Sequence, residues 1–266
     1  MLKWRRFVKL EMLAVPLLLI PVGGLFYGFR ATAAPQETEL AGFATSLRGR
    51  TAAQRDNAAR AARAINGKLI APGATFSYNQ TVKSWSWDAG YVKAPVSYDG
   101  ELVKAYGGGV CQTSTTLYNA ALLAGLPIVE RHAHTFAPHY VPPGRDAAVA
   151  QYDIDLRFKN PYRWPLRLKA EANGDRLEVR VFGAERPKQV PQITTEIVSA
   201  TTPNRLTRVV TPTSGGLHHG YVRNPGAIGY RVLSYRAFLE NGKEIRRESL
   251  GDDSYQAMDR IVNLPE

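Results

Sequence analysis

The stretch GGGVCQTSTTLYNAALLAGL, Gly107 to Leu126, decides how this chain is read. Leu117, Ala120, Ala121 and Ala124 fall on one helical face, Tyr118 and Leu122 widen it, and Gly125 followed by Pro127 ends the run. A helix this apolar belongs in a core. Its first turn carries Cys111, the only cysteine among 266 residues, directly behind three glycines.

A thiol is a nucleophile only as thiolate, and a helix N-terminus or a neighbouring imidazolium brings the ordinary pKa of about 8.5 down. Cys111 at the start of this helix faces unpaired N–H groups and the positive end of the dipole. The glycines fit a reactive site: Gly108 and Gly109 lack the Cβ that would hold a substrate backbone away, and they allow a sharp strand-to-helix turn. The N–H groups of Cys111 and Gln112 are then placed to bind an oxyanion. The plainer alternative is a flexible turn in front of a buried, inert cysteine.

The length suits one large or two modest domains, and 44% hydrophobic with 21% charged residues describes globular protein. The chain carries a net charge of +11, which points to anionic partners. Lys3, Arg5, Arg6 and Lys9 precede an uncharged run from Met12 to Phe29, the pattern of an export signal with its N-terminus held in the cytoplasm. Residues 1–30 are expected to form a single-pass membrane anchor, or a cleaved signal leaving a secreted protein, since Ala31 to Ala34 offer a small-residue cleavage site. Outside the membrane nucleic acid is scarce, so anionic cell-envelope polymers are the expected partners. An exported chain with a single cysteine has no internal disulfide, which leaves Cys111 buried and inert, joined to another chain, or chemically used.

Residues 31–44 read as a polar linker. Thr51 caps a helix whose Ala58, Ala62 and Ile65 form a stripe and whose exit is marked by Gly67. The aromatic-rich SYNQTVKSWSWDAGY (77–91) reads as loop and short strand. After the cysteine helix come alternating runs, among them DAAVAQYDIDLRFKN (146–160) and a hairpin turning near Asn173-Gly174. The expected class is α+β: the cysteine at the N-terminus of a buried helix packed on an antiparallel sheet, followed by a small all-β domain. The first domain spans 45–184. The second spans 192–266 and contains a hairpin about Asn241-Gly242.

A cysteine nucleophile needs an imidazole. His132 and His134 share a face if their segment is a strand. A hairpin turning at Pro142 to Arg145 sets His134 opposite Asp153 and His132 opposite Asp155, with Asp155 a diagonal neighbour of His134. Asp146, beside that turn, then lies too far away to orient the ring. The order Cys, His, Asp is the one used by papain-like thiol enzymes. A zinc site built from His132, His134 and either His139 or Asp155 is a competing reading, though it leaves Cys111 and the glycines unexplained. His218 and His219, in a glycine-rich segment, read as solvated loop.

The blocks TFSYNQ, GYVKAPV, GGGVCQTSTTLYNAALLAGLPIVERHAH, YVPPGRDAAV and DLRFKN resemble, in order, those of the VanW family, from about Thr45 to Ala184. The resemblance places the cysteine of the pattern at Cys111, its histidine at His134 and the aspartate of its DLxFxN block at Asp155. VKSWSWDAGY (82–91) departs from the family pattern after FSxN. The resemblance implies a peptidoglycan L,D-transpeptidase without a cofactor, forming crosslinks between stem peptides through a cysteine thioester. Gly108, Gly109, Gln112, Arg131 and His132 would line the substrate side, Arg131 binding carboxylates. A non-catalytic peptidoglycan- or glycopeptide-binding envelope protein is the alternative, and a peptidase or zinc hydrolase at the same cleft a third. The terminal region is similar to a degenerate G-five domain.

Overall fold

The computed structural model describes residues 37–98, 101–203, 208–210 and 221–263. The expected anchor (1–30) and His218-His219 lie outside them. In chain order the elements are β1 (Thr38–Ser46), α1 (Ala52–Ile65), β2 (Leu69–Ile70), β3 (Thr75–Ser77), α2 (Tyr78–Val82), β4 (Lys93–Tyr98), β5 (Glu101–Tyr106) and α3 (Val110–Leu123). Four further strands follow, β6 (Ile128–Glu130), β7 (Arg157–Lys159), β8 (Leu166–Asn173) and β9 (Arg176–Gly183). The terminal region adds β10 (Val190–Thr201), β11 (Arg208–Val210), β12 (Tyr221–Asn224), β13 (Gly229–Glu240), β14 (Lys243–Tyr255) and β15 (Ile261–Asn263). The architecture is mixed and rich in strand, as an α+β protein requires.

The central antiparallel sheet has the order β1-β9-β8-β2, and α3 lies against β1 and β9 with α1 beside it. Leu117, Tyr118, Ala120, Ala121 and Leu122 of α3 are buried, and they meet Ala58, Ala61, Ala62 and Ile65 of α1 and Leu168, Leu177, Val179 and Val181 of the sheet in one core. α3 is also lined with buried polar groups, each tied to a distant element. Thr116 pairs with Thr45 of β1 at 2.9 Å, and Thr113 donates to the Ala58 carbonyl of α1 at 3.1 Å. Such bonds fix the rotation of the helix, because each buried hydroxyl left unpaired costs about 1–3 kcal/mol.

α1 begins in a capping box. The Thr51 hydroxyl accepts the Gln54 N–H at 3.2 Å, and the Gln54 side chain accepts the Thr51 N–H at 3.1 Å. Both β8/β9 and β13/β14 are hairpins with two-residue turns at Asn-Gly neighbourhoods, Gly174-Asp175 and Asn241-Gly242.

Two expectations change here. Residues 38–44, read as linker, belong to β1, which pairs antiparallel with β9 along its whole length. The polar sequence hid a strand because the sheet edge leaves most of β1 only half-buried, so no strong alternation is imposed. The aromatic-rich 77–91 segment contains the short helix α2, capped by Ser77, whose hydroxyl accepts the Gln80 N–H at 3.1 Å.

Residues Gln36–Glu266 form one compact unit. Within it the sheet β10-β13-β14 meets α3 at its C-terminal end. Arg236 of β13, 2% exposed, donates to the Leu122 carbonyl at 3.1 Å and to the Leu126 carbonyl at 2.8 Å. A buried cation thus satisfies carbonyls at the negative end of the helix. Among the described residues no helix is long and apolar enough to cross a membrane.

Candidate functional site

Cys111 is the second residue of α3, behind an N-cap at Gly109 whose φ is +112°. The residue is partly buried, and as a thiol its sulfur would donate to the Val149 carbonyl 3.4 Å away. In the first turn the Val110 N–H bonds the Gly107 carbonyl at 2.9 Å and the Gln112 N–H bonds the Gly109 carbonyl at 3.2 Å. Among the described residues, the Cys111 N–H between them has no backbone acceptor.

His134 comes to this sulfur from the loop that follows β6. Its Nδ1 lies 2.5 Å from Asp146 Oδ2, and the same oxygen accepts the His134 backbone N–H at 2.8 Å. With Nδ1 committed to the carboxylate, the ring is close enough to the sulfur that imidazole and thiol shift each other's ionisation. Asp146 is fully buried. Its other oxygen accepts from an Arg131 nitrogen at 3.0 Å and from the Tyr255 hydroxyl at 2.5 Å.

The charges follow from these contacts. Burial pushes the Asp146 carboxyl up, but hydrogen bonds and charge from His134, Arg131 and Tyr255 overcome it and bring it to about 2. Burial pushes His134 down, and the Asp146 carboxylate and the Cys111 sulfur overcome that too, raising it to about 10. Burial raises the Cys111 thiol; the imidazolium outweighs burial and lowers it. These shifts all run toward a thiolate–imidazolium pair above a buried carboxylate.

The carboxylate at the ring is therefore Asp146, where the sequence points to Asp155. The reason is register. His132 bridges Ala148, not Asp155, and Ala150 bridges Ile154. The chain loops widely between His132 and Ala148 and then reverses sharply at Gln151–Asp153, so Asp146 lands opposite His134 and Asp155 is carried off to another face. There Asp155 accepts the Ser77 hydroxyl at 2.5 Å and the Asn79 N–H at 2.9 Å, supporting the start of α2.

Other expected residues also have different partners. The Gln112 side chain turns inward, donating to Thr45 at 3.1 Å and to the Ser46 carbonyl at 2.8 Å. Neither its amide nor its N–H is free for a substrate. Gly108 and Gly109 face protein: a Cβ on Gly108 would stand 2.7 Å from the Pro95 carbonyl, and one on Gly109 would collide with the Gln54 carbonyl of α1. These glycines let the helix start press against α1 and β4. Arg131 is buried between Asp146 and Asp253, so its charge is already answered. His132 stands half-exposed, its Nε2 3.1 Å from Glu130. Among the described residues no three His, Cys, Asp or Glu side chains gather as metal ligands, which leaves the zinc reading without a site there.

Sequence reasoning missed Asp146, Tyr255 and Asp253, and also Arg50. The Arg50 Nε donates to Gln112 Oε1 at 3.0 Å, and its guanidinium lies 5.0 Å from the centre of the Tyr140 ring. Among the described residues it has no carboxylate partner. Tyr140 is raised by burial and by the Cys111 charge, so this arginine and tyrosine stand on the sulfur's side of the site. For Asp146 the signal was present in the sequence, since a loop centred near Tyr140 pairs 134 with 146; nothing in the alternation placed the centre there.

A cysteine at the start of a core helix, a histidine from a loop and a buried carboxylate form a Cys-His-Asp array in an α+β protein. Residues 53–182 match the family model described as VanW like protein, so this part of the chain is a VanW-like domain. It is 36% identical over 163 residues to the uncharacterized protein YoaR of Bacillus subtilis, covering 60% of this chain and 54% of that one. It is 29% identical over 138 residues to the vancomycin B-type resistance protein VanW of Enterococcus faecalis, covering 50% of each. The chain thus spans about half the length of these curated relatives. The crystal structure of HP0197-G5 aligns with 27% of this chain and 97% of its own, at 19% identity and a TM-score of 0.14, too low to carry a fold assignment.

Proposed function

We propose that this protein is a cysteine acyltransferase of the cell envelope, acting on peptidoglycan stem peptides as an L,D-transpeptidase. The observation that carries the reading is the partly buried Cys111 beside a His134 ring that is itself seated on buried Asp146. The Cys111 thiolate attacks the carbonyl of a stem-peptide residue, forming the S–C bond while the carbonyl π pair moves to oxygen. The Cys111 N–H is placed to receive that oxyanion. Collapse breaks the C–N bond to the terminal residue, and the imidazolium gives its proton to the departing amine. The neutral ring then takes a proton from an incoming side-chain amine, which attacks the thioester and returns the sulfur as thiolate. Asp146 is a positioning residue, holding the ring and its charge throughout. Arg50, with no carboxylate partner among the described residues, is suited to bind one on the substrate.

The net charge of +11 favours an anionic envelope polymer as the surrounding medium, with the N-terminal segment anchoring the protein in the membrane or directing its secretion. The second reading is a non-catalytic envelope binder in which Cys111 only packs. Incubation of peptidoglycan with the wild type and with Cys111→Ala, followed by muropeptide analysis, separates the two. New crosslinks made by the wild type alone support the transferase, and release of terminal residues without new crosslinks indicates a peptidase. Unchanged muropeptides with both proteins sink the enzymatic reading.

A further inference from the structure

The carboxylate of the thiol site is held from the far end of the chain. β14 carries Asp253 and Tyr255, two residues apart and so on one face of the strand. The Tyr255 hydroxyl donates to Asp146 Oδ1 at 2.5 Å and accepts the Gly144 N–H at 2.8 Å. Both oxygens of Asp253 lie 2.6 Å from one Arg131 nitrogen. Arg131 in turn gives a second nitrogen to Asp146 Oδ1 at 3.0 Å and its Nε to the Asp146 carbonyl at 2.7 Å. Just past β14, the Gln256 N–H bonds the Thr135 carbonyl at 2.8 Å, next to His134. The side chains of Arg131, Asp146 and Asp253 are 7%, 0% and 11% exposed, so water screens this series weakly.

Charge alternates along the contacts: Asp253, Arg131, Asp146, His134, Cys111. We infer that Asp253, acting through Arg131, is a positioning residue of the thiol site, and that β14 is thereby a working part of that site. The inference rests on the thiolate reading proposed above. Its physical basis is the order of the contacts. Without the Asp253 charge, Arg131 keeps only Asp146 as a carboxylate partner among the described residues and adds net positive charge beside the imidazole. It stands nearer the imidazolium than the thiolate in that order, opposes the imidazolium more strongly, and shifts the proton back toward sulfur. Among the described residues, the other charged or titratable groups around the pair include Tyr118, Arg145 and Arg236 on the Arg131 side and Tyr78, Tyr91, Tyr140 and Arg50 on the sulfur side, and none of them changes in the comparison.

Because Cys111 is the only cysteine, its alkylation by iodoacetamide across pH reads its ionisation in the full chain. The wild type is expected to show a midpoint below the ordinary thiol value. Asp253→Asn should move that midpoint upward and slow alkylation at neutral pH by about three- to tenfold. Asp253→Thr, chosen to suit a strand, should match it, and Asp253→Glu should restore the wild-type profile. Asp252→Asn serves as the control, since Asp252 points the other way to pair with half-exposed Arg231 and should leave the profile unchanged. Thermal melts identify the variants that are folded. A depressed wild-type midpoint with unshifted Asn and Thr variants overturns this inference and leaves the thiolate reading standing. An equal shift in Asp252→Asn also overturns it, tracing the effect to net charge. A wild-type midpoint at the ordinary value overturns both.

Discussion

Asp146 and Asp155 flank the same reversal of the chain, and they meet opposite surroundings. Asp146 is fully buried and receives the His134 ring, the His134 N–H, Arg131 and Tyr255. Asp155 receives Ser77 and the Asn79 N–H at the edge of an open cleft of about 600 Å³ that Glu130, Asp153, Lys83 and Arg157 also line. A buried carboxylate between two cationic groups stays ionised and transmits its charge to the ring it holds. One that opens onto water spends its hydrogen bonds on a local cap. Residue type and chain order are the same for both, so the surroundings alone assign the role.

The largest effect should come from Asp146→Asn. Asn keeps the shape but removes the charge, leaving a nearly buried Arg131 with less compensation, and a broken buried pair costs about 3–5 kcal/mol. Acyl transfer should fall by at least about a hundredfold and alkylation of Cys111 near neutrality by about tenfold, because the imidazolium loses its support. Denaturant melts across pH add a sign. With its folded pKa at about 2, below the ordinary 3.8, Asp146 contributes stability that is present above that ordinary value and lost as pH falls through about 2. His134, raised from 6.5 to about 10, contributes stability that is full below 6.5 and lost as pH rises through about 10. Asp146→Asn should flatten both limbs.

Asp155→Asn should be milder and of a different kind. It weakens the support of α2 by about 1–2 kcal/mol and leaves the alkylation profile of Cys111 in place. Were it to match Asp146→Asn in lost thiol reactivity, the assignment of the two carboxylates would be reversed. The smallest effect is expected for His132→Gln. Its contact with Glu130 is half-exposed, and such a pair is worth about 0–1 kcal/mol, so stability and thiol reactivity should both stay near wild type.

Local signals read well where the physics is local. The capping box at Thr51, the two Asn-Gly hairpins and the apolar face of α3 are each written within a few residues, and the folded chain uses each of them. The resemblance to the VanW family was legible for the same reason, since its blocks are contiguous. β1 was not legible: its strand character comes from pairing with β9, more than a hundred residues downstream. Gly108 and Gly109 were recognised as special, but their reason was misplaced, because the backbones they approach belong to β4 and α1.

From the sequence alone came the lone thiol at a helix start, the imidazole beside it and the basic charge of the chain, all consequences of residue type and short-range period. Only the tertiary structure decided which carboxylate orients His134, that Arg131 is already paired, and that β14 reaches the site. Those outcomes depend on where a loop between His132 and Ala148 turns and on which distant strand docks beside it. Side-chain alternation carries no record of either, since the same pattern is compatible with several registers and burial selects among them only once the core has closed.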